Sequence, residues 1–242
     1  MPEITDCNVS RAWKCAVALA NDSTLKEAKN LIVNIEGLSA SAAIEDVDVR
    51  DALDFSLESS GKFSVHTVAN TIFPLSLWTP QMSRHELYEK YMRLWPRISL
   101  VQQNRRGTYF QRLISYPVAG QPSFNQLEFV ISAYNGGTRR RSALQCGILN
   151  PSIDLNPTPY QGFPCMQQIA FYKEGQAGLR VTAFYPLQYL WAKAYGNYLG
   201  IINLGRFMAQ EMSLTLEAVT CVALVAKLDN PKITAPLLDS RV

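Results

Sequence analysis

The stretch AYGNYLGIINLGRFMAQEM (194–212) sets glycines at 196, 200 and 205 into a run that is apolar nearly all round. A helix with no polar face is buried on every side, and glycine lets a neighbouring backbone come close where any side chain would hold it off. The pattern predicts a buried helix with close neighbours. Just before it, CMQQIAFYKEGQAGLRVTAFYPLQYL (165–190) reads as a hairpin with strands on either side of KEGQAG. Ser10 is the expected N-cap of a helix over RAWKCAVALAN, whose Trp13, Ala16, Val17 and Ala20 share a face. NLIVNIEGL (30–38) reads as a buried strand, and residues 45–60 as a helix on the spacing of Val47, Ala52, Leu53 and Leu57.

KFSVHTVANTIFPLSLW mixes strand formers with Pro74 and is expected to lead into a surface loop, whereas RHELYEKYMRLWPRI is a helix that stops near Pro96. GTYFQRLISYP alternates like a strand, NQLEFVISAYNGG is a short helix closed by glycines, and RRSALQCGIL is a further strand. NPSIDLNPTPYQGFP holds four prolines in fifteen residues and must be loop. No internal repeat or linker divides the 242 residues, so we expect one α+β domain with a curved mixed sheet.

Five cysteines without a CxxC pair, and only two histidines, argue for free thiols in a reducing compartment and against a zinc site. No stretch has the charge-free length a bilayer demands, so the expectation is a soluble, cytoplasmic protein without a membrane partner. A net charge of +3 is too small to mark a nucleic-acid binder. The positive residues are nonetheless clustered, as Arg105-Arg106 with Arg112 and as Arg139-Arg140-Arg141. Each cluster is either a solvated face or an anion site, since guanidinium forks match phosphate oxygens.

In YQGFPCMQQIAFYKEG (160–175) a proline directly precedes Cys165 at the mouth of a strand. Together with the arginine triplet before it, Asn197 after it, and the MAQ triplet Met208–Gln210, this order of motifs resembles thymidylate synthase and the related pyrimidine nucleotide hydroxymethylases. The resemblance covers residues 101–242; residues 1–100 are the divergent part. It implies a thymidylate synthase-like fold with one sheet face at a homodimer interface. Cys165 would be the nucleophile, adding to C6 of a pyrimidine nucleotide so that C5 takes a one-carbon unit from methylene-tetrahydrofolate. Two of Arg139, Arg140 and Arg141 would bind the phosphate across the dimer, which two being open. Asn197 would read the base edge, as Gln126 and Leu127 would open the helix that precedes the arginines. No metal is implied.

The same resemblance exposes departures. Where the family carries an arginine that helps the thiol ionise and an aspartate at the ring, this chain has FYPLQYLW, with Tyr185 or Pro186 for the first and Tyr189 for the second. Met166 stands where histidine is usual, Lys227 and Asp229 fall on the ribose-binding histidine and tyrosine, and the tail LLDSRV is unlike the family's apolar one. If pyrimidine chemistry survives, Arg105, Arg106 or Arg112 must activate the thiol, and Tyr185, Gln188 or Tyr189 must rebuild the wall beside the base. If it does not, the chain is a nucleotide-binding or structural homodimer. A third reading, action on a base within nucleic acid, rests on the arginine clusters alone.

Overall fold

The computed structural model describes residues 1–40, 44–138, 140–158 and 161–234. In chain order it contains β1 (Glu3–Asp6), α1 (Val9–Asp22), β2 (Glu27–Ile35), α2 (Val47–Ser59), α3 (Val65–Ile72), α4 (Arg84–Ile98), α5 (Tyr109–Ile114), α6 (Gln126–Asn135), β3 (Gln145–Gly147), α7 (Pro151–Asp154), β4 (Gln168–Glu174), β5 (Gly178–Tyr189), α8 (Tyr195–Glu211) and β6 (Thr215–Lys227). Six strands of the described residues form one sheet in the order β1-β2-β6-β5-β4-β3. It is mixed: β1 and β2 are parallel, as are β5 and β6, while β2–β6, β4–β5 and β3–β4 are antiparallel. The fold is therefore a mixed α and β architecture, consistent with the α+β class.

The hairpin read from the sequence is β4 and β5, with Glu174 opposite Gly178 across the turn. β5 then pairs on its other side with β6, with a register shift at Leu179/Arg180. Helices α1 and α8 pack on one face of this sheet, and α3 packs on α8. Leu179, Val181, Ala183 and Tyr185 of β5, with Val219, Cys221 and Ala223 of β6, turn inward to that layer and are almost fully buried. The alternate residues Ile32, Phe184 and Val222 face the other way and stay partly open, and Leu224 is 44% exposed.

Several elements differ from the sequence expectation, each for a local reason; one is α7, a short helix inside the proline-rich stretch expected to be loop, where Asn150 caps by accepting from Ser152 N. KFSVHTVANTIF, read as strand formers, is helical before the loop that follows it: Ser64 caps α3 by accepting from Thr67 N, and Val65, Val68, Ala69 and Ile72 then form a buried helical stripe. GTYFQRLISYP is not a strand either, because Thr108 caps α5 by accepting from Gln111 N and Phe110, Leu113 and Ile114 bury at helical spacing. Asn8 rather than Ser10 caps α1, and the Ser10 hydroxyl lies inside the helix, 2.8 Å from the Tyr195 hydroxyl. RRSALQCGIL supplies only the short β3, its arginine end forming a 3₁₀ turn over Arg141–Ala143. The helix over 84–98 tolerates Pro96 in its last turn.

The glycines of α8 do what the sequence predicts. A Cβ on Gly196 would sit 2.7 Å from the Val65 carbonyl oxygen and 2.6 Å from Val68 Cβ; one on Gly200 would sit 2.8 Å from the Ala69 carbonyl oxygen. Since the contacts on α3 and α8 advance together, the two helices run in the same direction, with their N-terminal ends side by side. Helix propensity alone would favour alanine over glycine by about 1 kcal/mol, but a backbone carbonyl cannot swing away as a side chain can. We therefore expect Gly200→Ala to destabilise the protein by about 1–3 kcal/mol, measured by urea unfolding; a stabilised variant would show that α3 is free to retreat.

Candidate functional site

Cys165 is half-buried in the segment between the proline-rich loop and β4. The phenol oxygen of Tyr109, on α5, accepts from the backbone N–H of both Cys165 and Met166 at 3.3 Å. This fixes the cysteine segment and leaves the Tyr109 proton to be donated elsewhere. β4 pairs with β5 only as far as Phe184, and Pro186, with no N–H, follows where a partner strand is absent on that side. The cysteine segment occupies the gap, and Tyr185 points from β5 into the same layer.

Tyr185 is fully buried and its hydroxyl has no hydrogen-bond partner among the described residues. Burial first, then the neighbouring Cys221, Tyr109, Cys165 and Tyr198, push its ionisation well above the ordinary phenol value. The Tyr198 hydroxyl is likewise buried and unpartnered. Phenols and thiols thus cluster on the helix-covered side of β5 with unused hydrogen-bonding capacity, which is unusual for a finished core.

The positive charge that acts on Cys165 through the protein is that of Lys193. It lies on a π-helical turn, Leu190–Ala194, that leads into α8; such turns often occur at functional positions. The turn is anchored by Asp229, whose Oδ1 accepts from Trp191 N at 3.0 Å and Ala192 N at 3.4 Å, and by the Trp13 indole, which donates to Leu190 O at 2.8 Å. Lys193 Nζ stands 5.6 Å from the centre of the Phe63 ring. Burial pushes the Cys165 thiol up, and the Lys193 charge pulls it back. Burial also pushes Lys193 down, against the opposing pull of Cys165 and, more weakly, Asp229. Asn197, one helical turn beyond Lys193, is 3% exposed.

The arginines stand elsewhere. Arg112 is sealed in a two-pronged pair with Asp154, both contacts 2.9 Å, and donates further to the carbonyls of Ile148 and Arg106. Its guanidinium also lies over the Phe163 ring at 5.2 Å. A charge so committed cannot turn to a thiol. Arg105 and Arg106 are exposed, as are Arg140 and Arg141. Arg141 lines a cavity of about 380 Å³ with Tyr134, Thr138, Tyr172 and Lys173, at the hairpin end of β4, whereas Cys165 precedes the opposite end. Arg139, like the tail LLDSRV, lies outside the described residues.

The expected base-side wall is divided. Tyr185 and Gln188 are three apart on β5, with the pairing to β6 continuous between them, so they lie on opposite faces. Gln188 is buried with its Nε2 unpartnered, and Tyr189 is 37% exposed at the strand end. Gln126 is used structurally: its amide donates to the Arg112 and Gly147 carbonyls and accepts from Gly147 N. A second cavity, of about 330 Å³, opens between α3 and α4, walled by Phe63, Thr67, Asn70, Tyr91, Ile98 and Thr108. Phe63 and Thr108 join it to the site, one touching Lys193 and the other preceding Tyr109. Lys193 and Tyr109 are the members that the sequence reading missed; for Lys193 the signal was a lone lysine in the apolar run LWAKAYG.

Among the described residues, no group of His, Cys, Asp and Glu is placed to hold a metal ion, and no helix is long and apolar enough to cross a membrane. Comparison of the chain with protein-family models and with curated proteins gives no match.

A buried hydroxyl without a partner adds nothing to the stability of the core that surrounds it. Tyr185→Phe is accordingly expected to leave stability unchanged or to raise it by about 1 kcal/mol, by urea unfolding. A loss larger than that would mean the hydroxyl is bonded in the folded protein and is not reserved for a ligand.

Proposed function

We propose that the chain acts on a pyrimidine nucleotide, transferring a one-carbon unit (methyl or hydroxymethyl) to C5 through a Cys165 adduct at C6, on a thymidylate synthase-like fold. The observation that supports this reading is a half-buried Cys165 tethered by Tyr109, beside the buried and unpartnered hydroxyl of Tyr185. A thiol meant only for packing needs none of these.

In this reading the Cys165 sulfur forms a bond to C6 and the C5–C6 π pair moves toward the ring carbonyl, which leaves C5 nucleophilic. Asn197 can both donate to and accept from a ring edge, as a base with adjacent N–H and C=O groups requires. Tyr109 keeps its proton, because burial pushes its ionisation above the ordinary phenol value; it serves as a donor and as the tether of the nucleophile. Methylene-tetrahydrofolate would supply the one-carbon unit. Its ring system would then lie in the cavity between α3 and α4, where apolar walls at Phe63 and Ile98 are edged by Thr67 and Asn70.

The open sheet face, with Ile32, Phe184, Val222 and Leu224 uncovered, supports a homodimer through that face. The exposed Arg140 and Arg141, together with Arg139, would then serve a phosphate in the neighbouring protomer, with Arg105 and Arg106 as the nearer alternatives. Free Cys7 and Cys15, both exposed, suit a reducing, cytoplasmic setting.

One observation favours a second reading, a catalytically degenerate nucleotide-binding or structural homodimer: burial raises the Cys165 thiol and Arg112 is spent on Asp154. Intact-mass spectrometry after incubation with 5-fluoro-dUMP and methylene-tetrahydrofolate separates the two. The enzyme reading predicts a mass increase equal to nucleotide plus folate that Cys165→Ser abolishes. An unmodified mass with 5-fluoro-dUMP, and also with dUMP, UMP and dCMP, together with nucleotide binding that Arg140→Ala weakens, would establish the degenerate binder instead.

A further inference from the structure

We propose that the cavity at the hairpin end of β4 is a second nucleotide site, separate from the Cys165 site: Arg141 and Lys173 take the phosphate of a nucleoside monophosphate, and the phenols of Tyr134 and Tyr172 receive its ring. The inference goes beyond the reading of Cys165 and needs no second protomer. It involves no covalent step; the ligand is held as an effector is, away from the reacting atoms.

The fold brings the lining together from separate elements. Tyr134 lies in the last turn of α6 and Thr138 just beyond it, Arg141 opens the 3₁₀ turn that Leu144 follows, and Tyr172 and Lys173 sit near the end of β4. β3 pairs with β4 only from Gln168 to Ala170, and one further bond, from Phe171 N to Leu144 O at 2.8 Å, continues that side. Beyond it β3 no longer covers the edge of β4, and the cavity of about 380 Å³ opens there, within the range that holds small ligands. β4 runs over seven residues, about 20 Å at the usual strand rise. Cys165 precedes its other end, so one mononucleotide cannot occupy both places.

Charge decides the class of ligand. Among the described residues two cations line the cavity and no carboxylate does. Neither Arg141 nor Lys173 belongs to an ion pair among those residues. The acid next to Lys173 in the chain, Glu174, is taken up by Arg180. Arg141 presents a planar fork and Lys173 a compact ammonium, and both are phosphate partners. A bare anion would satisfy the cations and leave the two phenols idle. Their faces suit a base, because every base has a π-face, and Tyr172 is 37% exposed at the uncovered edge. The Thr138 hydroxyl can donate or accept at a sugar. No side-chain amide lines the cavity to read a base edge, so purine and pyrimidine nucleotides are expected to bind alike.

The test is titration calorimetry of the full-length protein with AMP, a purine that the pyrimidine reaction cannot use, at fixed ionic strength. AMP is expected to bind, and adenosine, which lacks the phosphate, to bind at least about tenfold more weakly. Arg141→Ala and Lys173→Ala are each expected to weaken AMP binding about tenfold or more; Tyr172→Ala weakens it too, whereas Tyr172→Phe keeps it. Arg93→Ala, which removes an exposed cation on α4, is expected to change nothing. All these side chains are exposed, so the variants fold. No binding of AMP, equal binding of adenosine, or a loss with Arg93→Ala as large as with Lys173→Ala would overturn the proposal, as would binding confined to a single-stranded oligonucleotide. AMP binding does not pass through Cys165. A missing nucleotide adduct at Cys165 therefore removes the pyrimidine reaction alone, and missing AMP binding removes this second site alone.

Discussion

The close approach of α8 to α3 governs the rest of this structure. Two glycines of α8 lie so near the carbonyls of Val65 and Ala69 that the helices can adopt only one register. Because the helices are parallel, the segments that precede them are forced together. Phe63 stands before α3 and Lys193 before α8, and they meet as ring and ammonium. One wall of the candidate site is thus a by-product of helix packing: the glycines that look like core residues decide where the charge sits. The other wall, with Cys165, enters at the point where β4 leaves the sheet and Tyr109 takes over its hydrogen bonds.

Charge allocation is the second determinant. Sealing Arg112 with Asp154 removes two ions from water, a loss that is offset only when every donor is used. Here the guanidinium also reaches two carbonyls, and Asp154 accepts from Asn150 N at 2.7 Å. That network ties α5, α6, β3 and α7 into one unit, which holds Tyr109 and therefore Cys165 in position. The consequence is chemical as well as structural. With its buried arginine used as a brace, the site is left with a lysine, a cation whose charge can be switched by a nearby proton in a way that a guanidinium cannot.

Much of this was legible in the residues. The hairpin around KEGQAG, the helix over 126–135 with its closing glycines, and the close-packed glycine helix all follow from strong local signals, and all three are present. α3 and α5 were missed because β-branched and aromatic residues invite a strand reading, while the deciding information was a single capping hydroxyl, Ser64 or Thr108, before a short buried stripe. Cys165, Asn197 and Tyr185 could be named from their order along the chain. The placement of Lys193 could not, since it depends on a π-helical turn and an aspartate 36 residues after it, and no local pattern encodes a contact of that range. The arginines illustrate the converse: their clustering is plain in the sequence, yet only burial distinguishes the brace Arg112 from its exposed neighbours.

The central claim is that a flat pyrimidine ring binds beside Cys165. A crystal structure of the protein soaked with dUMP tests it most directly. The account predicts the ring seated beside Cys165 Sγ, with its polar edge at the Asn197 amide and the Tyr185 hydroxyl hydrogen-bonded for the first time. A nucleotide found only at the Arg141 cavity, with Cys165 closed over by its own neighbours, would contradict it.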